Sequence, residues 1–348
     1  MNGRARGAVF GLLAAASFGA SAPLAKLLVP YGSPLALAGL LYAGAALALG
    51  GYRLAARRRS EAPLRRADIP ALIAISALGG VVGPVLMLIG LARVSAVSGA
   101  LLLNLEGPLT ALVAVTVFRE HMGRPAAAAT ALILAGATVL AAGPGAAGAT
   151  PAAGVAALAG ACLAWAIDNN LTQRLSLRDP AALVQIKTAA AAAGNLVLAA
   201  LVAPRWPPAA VAGAALAVGA ISYGASVVLD AYALRLLGAV REAAYFATAP
   251  FAGAIAGALI FRERLTLAQL GSGALMAAGV LLLLRERHAH AHTHEPIEHE
   301  HLHVHDEHHQ HAHEGGAPVG EPHSHRHRHQ AITHAHQHTS DLHHRHRH

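Results

Sequence analysis

Charge and aromatic side chains are scarce in this sequence. Only 13% of its 348 residues are Asp, Glu, Lys or Arg, and only 4% are Phe, Trp or Tyr, whereas 55% are hydrophobic. A soluble chain of this length would form two or three domains, but its helices here would have no polar faces. Cys162 is the single cysteine, so no intramolecular disulfide can form and no redox compartment is indicated. No glycine loop ending in a phosphate-binding lysine occurs, which leaves ATP-driven pumping unsupported. No nucleophile elbow or paired catalytic constellation occurs either, so the chain is not expected to be an enzyme and requires no cofactor. The net charge of +8 comes from arginines that flank apolar runs. They form no aromatic-interleaved face, which excludes nucleic acid as a partner. Histidine is nearly absent before residue 288: one of the 24, His121, precedes it.

Apolar runs of membrane-spanning length fill residues 1–287. Crossing the hydrocarbon takes about 20 residues of helix. Ten spans are expected, at 8–28, 34–52, 69–92, 95–118, 125–142, 152–173, 181–203, 209–229, 239–261 and 266–284. Turn-forming links such as "PYGSP", "GPGAAGATP" and "APRWPP" join them, as suits antiparallel neighbours. Glycine and proline inside the runs, as in "GGVVGP" at 79–84, are tolerated in membrane helices. The partner implied is a lipid bilayer.

Basic residues orient the chain. With the N-terminus in the cytoplasm, sixteen Lys or Arg fall at inner ends, among them Arg4, Arg57, Arg58, Arg59 and Arg285. Five fall at outer ends: Lys26, Arg93, Arg205, Arg262 and Arg264. Both termini are therefore expected to be cytoplasmic.

The chain repeats internally. "AVSGALLLNLEGPLTALVAVTVFREHM" (96–122) aligns with "AVREAAYFATAPFAGAIAGALIFRERL" (239–265) at an offset of 143, pairing Val97 with Val240, Phe118 with Phe261 and Glu120 with Glu263. Pro108 and Pro250 miss by one residue. "FGASAPLAKLL" (18–28) resembles "WAIDNNLTQRL" (165–175). Each half thus holds five spans, and an odd number inverts the second half, a recurrent carrier design with the site near the midplane. Arg4, Arg6 and "ASA" (20–22) have the look of a signal peptide, but the counterpart at 165–175 makes this a retained first helix. The fold expected is an all-α integral membrane protein, ten transmembrane helices in two inverted five-helix repeats (1–145 and 146–287), with a disordered His-rich tail (288–348).

Those features, with "FGASAPLAK" in the first span and "P…FRE" closing the fourth and ninth, resemble the EamA-type carriers of the drug/metabolite transporter superfamily. The resemblance covers residues 8–284. It implies a secondary transporter in a bacterial inner (plasma) membrane, exporting a small molecule by alternating access.

An ionisable group inside a span costs about 2.5–3.5 kcal/mol on insertion scales, so each is a candidate. Glu106, with Asn104 nearby, is the only charge between Arg93 and Arg119. Its repeat mate is Ala249, so the repeat does not require it. A carboxyl group taken out of water favours its protonated form, which suits proton exchange near neutrality. Proton coupling and contact with a cationic substrate stand beside a structural role. Lys187 is the lone charge of the seventh span, with Asn195 eight residues on. It either holds an anionic substrate group or pairs with an acid, for which Asp168 is the obvious partner, and "DNN" (Asp168, Asn169, Asn170) is either part of the site or a polar helix end. Asp230, Arg235, Arg241 and Glu242 are read as interfacial anchors or gate salt bridges, Lys26 as a snorkelling anchor, and Tyr223, Trp165 and Tyr245 as packing or cavity residues.

The tail repeats His-x-His, as in "HEHLHVHDEHHQHAHE" (299–314). His299, His301, His303, His305, His308, His309, His311 and His313 are its candidate ligands. Alternate residues of an extended chain point the same way, and imidazole suits Ni, Zn, Co or Cu. With almost no apolar content the tail should be disordered without metal. The substrate expected is a small metabolite or a divalent metal. A Ni, Co or Zn efflux carrier and a membrane-anchored metal buffer or sensor are the alternatives, although the spans contain no histidine.

Overall fold

The computed structural model describes residues 3–56, 64–120, 122–143, 151–175, 178–202, 205–237, 239–285, 288–294, 298–303, 323–328 and 332–338. Among the described residues ten helices are long and apolar enough to cross a membrane. They are span 1 (Ala5–Tyr31), span 2 (Pro34–Ala55), span 3 (Arg66–Leu91), span 4 (Ala96–Thr116), span 5 (Arg124–Ala142), span 6 (Ala152–Gln173), span 7 (Ala181–Val202), span 8 (Ala209–Leu234), span 9 (Glu242–Phe261) and span 10 (Leu267–Leu284). Most ends lie within a few residues of the sequence reading. Span 8 runs further than its apolar stretch, because the helix continues through Asp230 to Leu237.

Large apolar side chains such as Leu54, Leu201, Leu259 and Leu267 are exposed, while the buried set is dominated by Ala and Leu. That is the distribution expected when lipid is the outer solvent and close helix approach needs small residues. Packing runs across the halves. Span 1 packs on spans 8 and 9, span 2 on 7 and 8, span 3 on 6 and 7, span 4 on 6 and 9, and span 5 on 10. Exchanging each span for the one five places away maps this set onto itself. The two halves are therefore interleaved rather than side by side.

Helix irregularities obey the same exchange. Span 3 contains a π-turn at Ser76–Val82 and span 8 one at Ala220–Ala225, and their last residues are 143 apart. Span 4 breaks at Leu103–Leu105 and restarts at Glu106, whereas span 9 breaks after Phe246 and restarts at Ala249. Pro108 and Pro250 explain the last two. Each stands in the first turn of the restarted helix, where a missing N–H costs least. Arg119 (φ 57°) and Arg262 (φ 51°) are the only non-glycine residues with positive φ among the described residues, again 143 apart. Each ends its span in the left-handed conformation.

The "FRE" sequence thereby gains a physical role. After the Arg262 turn, the Glu263 carboxylate accepts from the backbone N–H of Ala96 (2.6 Å) and Val97 (3.1 Å), satisfying free donors at the start of span 4. Beside it, Lys26 donates to the carbonyls of Leu91 (2.5 Å) and Val94 (2.6 Å) and lies 5.9 Å from the Phe261 ring centre. Lys26 is thus a clasp between spans 1, 3 and 9 rather than a free surface anchor. The other end is held by Arg178 on Asp68 (2.8 Å) and Arg53 on Asp179 (3.8 Å).

Among the described residues of the tail, four short strands pair. His288–His294 pairs antiparallel with Ile332–His338, and Glu298–His303 with His323–Arg328. The two-residue alternation of His-x-His is also the period of a strand, so the register sets His290 opposite His336 and His301 opposite His325.

Two glycines fix the crossing of spans 2 and 8. A Cβ at Gly44 would fall on the Leu216 carbonyl, and one at Gly219 on the Leu41 carbonyl. Neither obstacle is a side chain that can turn away. Gly44→Val and Gly219→Val should each lower stability by at least about 1–3 kcal/mol. Gly213, which has nothing within 4 Å of an added Cβ, should accept Ala with a change of under about 1 kcal/mol. Thermal unfolding of the detergent-solubilised protein reads both.

Candidate functional site

Proline creates the framework of the site. Pro84 opens the helical segment that follows the span 3 π-turn. Lacking an N–H, it leaves carbonyls one turn earlier without their usual donors. Those carbonyls are taken by neighbouring spans. Gly79 O accepts from Tyr42 Oη of span 2 (3.0 Å) and Trp165 Nε1 of span 6 (3.0 Å). Gly80 O accepts from Asn195 Nδ2 of span 7 (2.8 Å), which also donates to Ala191 O (2.8 Å). The break in span 4 is served similarly. Cys162 of span 6 approaches Leu102 O and Leu103 O (3.7 and 3.9 Å), as a weak S–H donor can.

These contacts bring the charged residues together. Asp168, buried on span 6, forms an ion pair with Lys187 of span 7 and accepts from Thr172 Oγ1 (3.2 Å). Space for its carboxylate exists because residue 79 is glycine: a Cβ there would fall on the Asp168 side chain. One residue on, Asn169 Nδ2 donates to Glu106 Oε1 (2.8 Å) and lies 3.4 Å from Thr110 Oγ1. Asn170 donates to Thr110 O (3.0 Å) and Ala166 O (2.8 Å), tying span 6 to span 4.

Glu106 is enclosed by protein, yet it is only half-buried and Asn169 is exposed. Accessible surface thus remains where spans 4 and 6 meet. The ionisable groups within electrostatic reach of Glu106 are Asp168, Lys187, Tyr42 and Cys162. Span 5, which also packs against this helix, carries no titratable side chain between Arg124 and Ala142. Tyr42 in turn stacks on Tyr223 of the span 8 π-turn (centroids 5.9 Å, 18°), which meets Phe18 edge-on (5.8 Å, 75°).

Four of the seven candidate side chains therefore meet: Glu106, Asn169, Asp168 and Lys187. Asn104 does not, since its amide donates to Leu101 O of its own helix (3.1 Å). Asn195 and Asn170 hold backbone carbonyls. Tyr42 was not singled out by its sequence context, because its role depends on a carbonyl freed in another span. Asp230 and Glu242, read as anchors, lie within electrostatic reach of each other. The side chains of Arg235 and Arg241 lie outside the described residues, as do those of His299, His301 and His303 and the whole of His305, His308, His309, His311 and His313. Among the described residues no group of three His, Cys, Asp or Glu comes together to hold a metal.

Comparison with known proteins adds to this geometry. The EamA-like transporter family matches residues 5–142 and, a second time, residues 152–285. The chain belongs to the EamA-like transporter family. It is an integral membrane transporter, and its similarity to other carriers spans both halves. An uncharacterized transporter of Methanothermobacter thermautotrophicus is 28% identical over 282 residues, covering 76% of this chain and 82% of the relative. A crystal structure 19% identical superposes with a TM-score of 0.59, covering 80% of this chain and 97% of the other. That likeness concerns the fold alone.

The ion pair is open to a direct test. Removing one partner leaves a charge in the bundle, so Asp168→Asn or Lys187→Gln alone should cost about 3–5 kcal/mol. The double variant, which removes both charges, should regain much of that loss in thermal unfolding. Exchanging the two residues should not, because the space beside Gly79 fits a carboxylate and not a lysine side chain.

Proposed function

We propose that this protein is a gradient-coupled exporter whose transport site is the polar centre at Glu106, working by alternating access between its interleaved halves. One observation carries the reading. Glu106 is a partly accessible carboxyl group within a span, held on one oxygen by the neutral amide of Asn169, while the one lysine nearby is engaged by Asp168. A carboxyl group so placed can exchange a proton without breaking an ion pair. The clasps at Lys26 with Glu263 and at Asp68 with Arg178 stand at opposite ends, where alternating access needs gates. Export, residence in a bacterial inner membrane and cytoplasmic termini follow from the resemblance to carriers of this type and from the arginine asymmetry.

Glu106→Gln keeps the hydrogen bond to Asn169 and removes the titration. In proteoliposomes it should abolish uptake driven by an imposed pH gradient and leave thermal stability within about 1 kcal/mol of the parent. Unchanged pH-driven flux in this variant would end the coupling role.

The tail supports a second component, metal-dependent regulation. The register that sets histidine opposite histidine in both hairpins brings imidazole-bearing residues onto adjacent strands, a favourable arrangement for Ni, Zn, Co or Cu. Binding requires neutral imidazole, so it should fall away below about pH 6.5. Equilibrium dialysis with Ni²⁺ should give several bound ions for the full chain and none for a chain ending at residue 287. Transport by the shortened chain should persist but no longer respond to Ni²⁺. A metal-carrier reading is less favoured, because the described spans offer no multi-ligand site.

A further inference from the structure

Aromatic residues are few, six Phe, six Tyr and two Trp in the chain, yet several of them cluster, and one of the cluster, Tyr42, lies within electrostatic reach of Glu106. Tyr42 and Tyr223 are stacked, Phe18 stands edge-on to Tyr223, and Phe246 lies 5.2 Å from Phe18. Tyr42 and Trp165 share the Gly79 carbonyl, and Trp165 is one helical turn before Asn169, the partner of Glu106. The aromatic cluster of spans 1, 2, 8 and 9 is thus linked through Tyr42 and the Gly79 carbonyl to the ring on span 6, and through Asn169 to the carboxyl group on span 4.

The charge balance there is specific. Three charged side chains come together, and the Asp168–Lys187 ion pair cancels two of them. What remains is one carboxylate. An anion would meet it with no free cation to compensate. A zwitterion would need a positive group for its own carboxylate, and Lys187 is committed to Asp168. A divalent metal would be favoured by several charged or imidazole ligands, and no three His, Cys, Asp or Glu come together among the described residues. A weakly hydrated organic cation satisfies both halves of the site, since aromatic rings attract cations through their quadrupole.

We propose that the substrate is an organic amine, protonated when bound, with its ammonium group against Glu106 and a flat apolar body against the Tyr42–Tyr223 cluster. This rests on the reading of Glu106 as the transport site. Proton and substrate then compete for one carboxylate, which couples their movements in opposite directions without a second site.

Three probes that share a phenyl ring and differ in charge test the proposal: phenethylamine (cation), phenylalanine (zwitterion) and phenylacetate (anion). In the full chain carrying Trp206→Phe, Trp165 is the sole tryptophan and its emission reports the centre. Phenethylamine should give a saturable change, phenylalanine should bind at least tenfold more weakly, and phenylacetate should give none. Glu106→Gln should weaken phenethylamine at least tenfold while Glu106→Asp retains the preference for the cation. Tyr42→Leu should weaken it by about twofold to thirtyfold. The proposal is overturned if phenylalanine or phenylacetate binds as tightly as the amine, if Glu106→Gln leaves amine binding unchanged, or if the amine gives no saturable change. Proteoliposome flux separates the two readings. Proton-driven movement of phenylalanine or phenylacetate refutes the amine and leaves the carrier standing. Absence of proton flux with every probe counts against the carrier itself.

Discussion

A backbone carbonyl in the middle of a bilayer has no water to turn to, so every break in a helix must be answered by a donor from inside the protein. Spans 3 and 4 each break at a proline, and the answers come from elsewhere: Tyr42, Trp165 and Asn195 for span 3, Cys162 for span 4. Meeting that requirement places most of what matters. Holding Trp165 on Gly79 sets the rotation of span 6, and that rotation carries Asp168 to Lys187 and Asn169 to Glu106. Holding Tyr42 on the same oxygen presents its ring to Tyr223. The polar centre is a by-product of backbone satisfaction as much as a feature built for binding.

The two halves share a framework and divide the chemistry unequally. Breaks, left-handed turns and packing partners recur at the offset of 143. Side chains at those places do not. Glu106 faces Ala249 across the repeat, and the span 9 break is closed by Thr248 of the same span, whose hydroxyl donates to Tyr245 O (2.6 Å). Likewise the span 8 π-turn is closed locally, by Ser226 on Ser222 O. The first half relies on neighbours where the second relies on itself.

The ten spans were legible because lipid imposes length and composition directly on sequence. The repeat was legible because insertion topology preserves the small and charged residues that end each span. The Asp168–Lys187 pair could be anticipated from the rarity of charge alone. Other features were not accessible in this way. Whether Asn104 or Asn169 reaches Glu106 depends on helix rotation, and neighbouring asparagines in one span look alike until that rotation is known. The π-turns left no periodic signal, since one inserted residue is absorbed within an apolar run. The Asp230–Glu242 contact joins residues from different spans, and two acids give no attraction from which to guess it.

An inverted repeat with identical halves would be energetically symmetric across the membrane, because a two-fold axis in the membrane plane would exchange the halves. The span 3 turn is gripped by three other spans, and its mate in span 8 by one serine of its own. Rearranging the first means parting hydrogen bonds that other spans make to its backbone, whereas the Ser222 carbonyl of the second is held by Ser226 of the same span. The unlike closure of two matching turns therefore makes the two halves of the repeat unequal in what it costs to rearrange them.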